Sequence, residues 1–60
     1  MYDKIRELAR QRGVSIPEIE RACGLSNGSI SKWNVSSPKV ENLRKVAEFL
    51  GVSIDYFINE

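Results

Sequence analysis

Three times in its 60 residues the chain writes a glycine, an aliphatic residue and a serine: Gly13-Val14-Ser15, Gly24-Leu25-Ser26 and Gly51-Val52-Ser53. Glycine readily takes the left-handed conformation that ends a helix, and serine is among the best residues for starting the next. The aliphatic residue between them faces an apolar residue five positions on: Val14 to Ile19, Leu25 to Ile30 and Val52 to Phe57. That spacing is a hydrophobic staple across a helix start. Three helix joints are therefore specified alike. The helices between them differ in length, so the regularity is one of corners and not of a solenoid repeat.

The apolar spacing between the corners supplies the helices. Ile5, Leu8 and Ala9 make one buried stripe on a helix over residues 2 to 12 that Gly13 ends. Ser15 and Glu18 form a capping-box pattern, Pro17 sits in a first turn where its missing N–H costs little, and Ile19 and Cys23 face inward. Ser26 then suits the cap of a second, short helix whose buried side is Ile30 and Trp33. That leaves Asn27, Gly28, Ser31 and Lys32 outward, with Ser29 and Asn34 at the margins. Asn27-Gly28 is also a hairpin-turn signal, but its flanks do not alternate as strands would. Ser37-Pro38 reads as a cap followed by proline at a first helical position, and Val40, Leu43, Val46, Ala47 and Leu50 form the longest apolar stripe, the main wall of the core. A last short helix at about 54 to 58 carries Ile54, Tyr56, Phe57 and Ile58, more apolar surface than so short a helix can bury. The expectation is an all-α chain of five short helices in one domain, 1–60.

Composition narrows what such a chain can do. One cysteine and no histidine exclude an internal disulfide framework and a histidine–cysteine zinc site, so helices must supply the core alone. Cys23 and Trp33 are assigned to that core. The free thiol suits a reducing compartment, and no apolar run is long enough for a signal-peptide core or membrane span, which makes the cytoplasm the expected location and membrane no expected partner. An enzyme is not expected either. There is no activated-nucleophile constellation, and the chain is too small to enclose a pocket on the order of several hundred Å³, so neither cofactor nor small-molecule ligand is implied. The net charge of +1 conceals an asymmetry: Arg10 to Lys45 holds seven basic residues against three acidic, while the last fifteen hold Glu48, Asp55 and Glu60 and no base. A polyanion would be drawn to one side of such a molecule.

With a glycine turn between its second and third helices and a polar outer face on the third, the chain resembles the Cro and phage-repressor (XRE-like) family of helix-turn-helix proteins. The likeness runs from about Tyr2 to Ile58. With the motif beginning at Ile16, apolar residues stand where the family has them, at Ile19, Cys23, Leu25, Ile30 and Trp33, and Gly24 is the turn glycine. The segment Ser36 to Ile58 looks like the family's fourth and fifth helices. Two positions depart. Glu20 stands where the family usually has a small residue between closely packed helices, so its carboxylate must swing out to solvent or find a donor. Ile16 stands where many members have a phosphate-contacting glutamine, leaving a backbone N–H for that purpose.

The resemblance implies a λ-repressor-like fold and sequence-specific binding of double-stranded DNA, with the third helix in the major groove. Base edges would be read by Asn27, Gly28 and Lys32, an assignment that fits the pairing of asparagine with adenine and of lysine with guanine. Ser15, Ile16, Ser29, Ser31, Asn34, Ser36 and Lys39 would contact phosphates. One such domain reads only a few base pairs, so a homodimer on a two-fold symmetric operator is expected, as a repressor-type transcriptional regulator. Tyr56, Phe57 and Ile58 are the candidate dimer interface. Two alternatives stand beside this: a protein-interaction module of the same fold, antitoxin- or coactivator-like, and the amino-terminal DNA-binding part of a longer repressor.

Overall fold

A computed structural model describes residues 1–58, so Glu60 of the acidic tail lies outside the described residues. Five helices follow one another: α1 (Tyr2–Arg12), α2 (Ile16–Cys23), α3 (Ser29–Lys32), α4 (Val40–Leu50) and α5 (Asp55–Ile58). No strand occurs among the described residues.

The three glycine corners are built identically. Gly13, Gly24 and Gly51 have φ of 73°, 71° and 77°. The aliphatic residue after each donates its N–H back five residues: Val14 to Ala9 O at 3.0 Å, Leu25 to Glu20 O at 2.8 Å and Val52 to Ala47 O at 3.0 Å. Each glycine N–H bonds the carbonyl three residues before it, at Arg10, Arg21 and Glu48. This is the Schellman arrangement, which satisfies carbonyls that a helix end would otherwise leave bare. Val14, Leu25 and Val52 then lie half-buried against the core, but only Val14 stands directly before the residue that caps the next helix, Ser15; α3 is capped at Gly28, so Leu25 does not staple its start.

The core joins all five helices. α4 contributes Leu43, Val46, Ala47 and Leu50, α1 contributes Ile5, Leu8 and Ala9, α2 contributes Ile19 and Cys23, and Ile30 and Phe57 close it from α3 and α5. Fully burying an aliphatic side chain contributes about 1.5–3 kcal/mol, so a set this small must be used nearly whole. α2 packs most extensively on α4, while α3 rests on α1 and α2. The Arg12 Nε donates to Leu50 O at 3.1 Å, tying the end of α1 to the carbonyl end of α4, where a cation is favoured. Burial raises the Cys23 thiol above its ordinary pKa, against a smaller lowering by Lys45, as suits a small apolar core residue.

Three expectations need correction. The third helix begins at Ser29 and not just after Ser26, and no serine side chain caps it. α4 begins at Val40 with Lys39 as its cap residue in extended conformation (φ −67°, ψ 144°), so Pro38 precedes the helix instead of opening it. Proline's fixed φ suits a first helical turn and an extended approach equally well, and here the extended approach is taken. Phe57, one of three residues expected at an interface, is 1% exposed and belongs to the core.

Candidate nucleic-acid interface

α2 is held by local chemistry. The Ser15 Oγ accepts the Glu18 N–H at 3.2 Å while the Glu18 carboxylate accepts the Ser15 N–H at 2.9 Å. Hydrogen bonding to the Ser15 backbone and then to its hydroxyl holds the Glu18 pKa below its ordinary value, with Arg21 adding a smaller lowering. Within this first turn Pro17 has no N–H and that of Glu18 is taken, so Ile16 supplies the remaining one. The Ile16 side chain packs against the core.

The turn into α3 is a different construction. Ser29 N–H bonds Ser26 O at 3.1 Å, closing a four-residue turn around Asn27 and Gly28. Gly28 has φ 88° and ψ 0°, and among the described residues no non-glycine residue has positive φ. A positive φ at the third position only is a type II turn, which demands glycine there. The Asn-Gly signal is thus a real turn, without hairpin strands around it. A Cβ built on Gly28 would meet nothing within 4 Å, so conformation and not crowding calls for glycine within the protein.

Beneath this turn lies Glu20, 3% exposed. Both carboxylate oxygens accept the Gly28 N–H, each at 3.1 Å, and Oε2 also accepts the Ile30 N–H at 3.0 Å. The carboxylate that had to find a donor has found two, on the adjacent helix. Ile30 is fully buried and fixes the underside of α3. Trp33 follows as its last turn and lies half-buried against the core.

On the outer side, Asn27, Ser31 and Lys32 are exposed, while Gly28 and Ser29 are half-buried. The Ser31 hydroxyl donates to Gly28 O at 2.9 Å, so it must release that bond before it can donate elsewhere. Asn34, Ser36 and Lys39 are exposed along the connection to α4. Arg21, not assigned a role from sequence, lines an open cleft with Pro17, Glu20, Leu25 and Asn27. Its place beside Asn27 follows from the Glu20 clamp, which local sequence patterns do not reveal. Away from this face, Tyr56 and Ile58 are exposed; the Tyr56 ring meets Phe57 edge-on at 5.3 Å and carries the Lys4 ammonium at 5.2 Å.

Two helices joined by a tight glycine turn, the second with a buried isoleucine below and amide and ammonium groups above, is the arrangement of a helix-turn-helix. A family model described as helix-turn-helix matches residues 5–57. The chain belongs to the Cro/C1-type helix-turn-helix family. It is accordingly a DNA-binding helix-turn-helix domain of the kind found in transcription regulators. No curated protein and no solved structure matches the chain. No helix among the described residues is long and apolar enough to cross a membrane.

Proposed function

We propose that the domain reads double-stranded DNA by sequence, with α3 in the major groove, as a homodimer on a two-fold symmetric operator and in the manner of a repressor. The observation that carries the reading is the outer face of α3 and of the turn that leads into it: Asn27 and Lys32 exposed over a platform fixed by Ile30 and Glu20. An amide and an ammonium are suited to adenine and to guanine or phosphate. Gly28, between them and α2, leaves open space above its α-carbon, room for DNA to come close. Ser15, the Ile16 N–H, Ser29, Ser31, Asn34, Ser36 and Lys39 surround that face as phosphate contacts, and Arg21 joins them. Tyr56 and Ile58 supply the surface for pairing two copies, without Phe57.

Selection of bound duplexes from a random library at about physiological salt tests this, because non-specific binding is already weak there. Enrichment of a palindrome with half-sites about 10 base pairs apart is expected. A folded sample that enriches nothing rejects the reading. The protein-interaction alternative draws on one observation: Val40 and Phe49 on α4 and Tyr56 and Ile58 on α5 are 60%, 45%, 42% and 54% exposed. Absence of enrichment together with weak, salt-insensitive DNA binding would favour it.

A further inference from the structure

A helix of four residues has no stability of its own, because nucleation fixes several residues before hydrogen bonds accumulate. α3 is such a helix, and it carries the face assigned above to base reading. What holds it is therefore as important as what it displays. Its first N–H groups have definite partners: Ser29 bonds Ser26 O, while Gly28 and Ile30 bond the Glu20 carboxylate. Gly28 is the cap residue and has no side chain with which to do this itself. Glu20 supplies from α2 the capping oxygen that the start of α3 lacks, and it does so against the backbone on either side of Ser29, next to Asn27.

We propose that Glu20 is the positioning residue of the recognition segment, its buried carboxylate setting the Asn27–Gly28 turn and hence the angle at which Asn27 meets a base. This rests on the DNA-reading function proposed above. Glu20 is 3% exposed and faces away from solvent, so it acts through the turn and not by touching DNA. A second consequence concerns the backbone: the Gly28 and Ile30 N–H groups are spent on Glu20 and are not free for phosphate. Phosphate binding then falls to the side chains and to the start of α2, while Glu20 governs discrimination. Because a carboxylate bonded to two N–H groups of one turn resists tilting of that turn in either direction, removing one of its oxygens loosens the reading angle without removing any reading group.

The test uses the full chain and the palindrome that it selects. Wild type, Glu20→Gln and Glu20→Ala are compared for affinity to three duplexes: the selected site, the site with one base pair changed at the position where Asn27→Ala loses preference, and an unrelated sequence. Glutamine keeps the size and one acceptor oxygen; alanine removes both oxygens. Sucrose is added equally to all samples so that folded proteins are compared, and the folded fraction is read by circular dichroism. Both variants are expected to lose roughly tenfold or more in the ratio between the selected and altered sites, the size of one good base contact. Affinity for the unrelated duplex should change less than about threefold, since the phosphate-contacting groups are intact. Amide exchange at Gly28 and Ile30 should quicken in the same variants. Unchanged discrimination in folded Glu20→Gln and Glu20→Ala overturns the proposal, as does a loss shared equally by all three duplexes. If the wild type itself selects no site, the function fails and the positioning role falls with it, whereas a discriminating wild type with unaffected variants sinks the positioning role alone.

Discussion

α2 and α3 begin under the same demand, each exposing N–H groups that need an acceptor, and they meet it from different distances along the chain. At α2 the answer is three residues long, Ser15 and Glu18 bonding one another reciprocally at 3.2 and 2.9 Å. At α3 it comes from eight and ten residues away, through the Glu20 carboxylate. The first solution is exposed and makes a helix of eight residues that packs on α4. The second is buried and stabilises a segment too short to hold itself. A local cap fixes a helix on its own axis; a cap reaching from a neighbouring helix also fixes the angle between the two. The helix proposed to meet DNA is the one given the second kind.

The comparison breaks most severely at Ile30. It is fully buried in a helix of one turn, so Ile30→Ala should cost about 2–5 kcal/mol. For 60 residues, total stability is on the order of 3–9 kcal/mol, and urea titration should show a population largely unfolded or nearly so. The two caps come next and should separate. Glu20→Ala strands the buried Ile30 N–H, at a cost of about 1–3 kcal/mol, and leaves the part-buried Gly28 N–H to water, whereas Ser15→Ala should cost about 0.5–2 kcal/mol. Equal shifts in the urea midpoint would erase the distinction between them. Gly28→Ala places an L side chain at φ 88° with open space around it, so backbone strain of roughly 1–2 kcal/mol is expected without any packing clash. The smallest effect is on acid stability. Glu18, held below its ordinary pKa by Ser15, binds its proton more weakly folded than unfolded. Its contribution is present above the unfolded pKa and fades as pH falls through the lowered folded value. Carboxyl titration by NMR should find Glu18 below the ordinary glutamate range in wild type and moved up toward it in Ser15→Ala.

The same contrast separates what the sequence made legible from what it did not. The glycine corners were readable because every bond in them lies within six residues, and all three appear with near-identical φ. The stripe Leu43, Val46, Ala47 and Leu50 was readable by period and is buried throughout, though Val40 at its start is 60% exposed. Ser26 was a sound local candidate to cap α3, yet its carbonyl closes the type II turn and a distant carboxylate takes the capping role. No local rule ranks those alternatives. Glu20 stood out only as too large for its place, and which way it would turn depended on Gly28 presenting an N–H inward. Pro38 carried a φ compatible with two starts for α4. The outward face of Asn27, Ser31 and Lys32 was legible because Ile30 below them is unambiguous. The place of Arg21 beside Asn27 was not, since it depends on the clamped turn.

The central claim is that the outer face of α3 and its leading turn reads bases, and Asn27 tests it most directly because its amide carries no charge. Wild type and Asn27→Ala should be titrated against the selected site and its set of single base-pair changes, over a range of salt. The account expects Asn27→Ala to lose about 1–3 kcal/mol of preference at one base pair in each half-site, with the slope of affinity against salt unchanged. If Asn27→Ala discriminates at every position as wild type does, α3 is not the reading helix and the account is wrong.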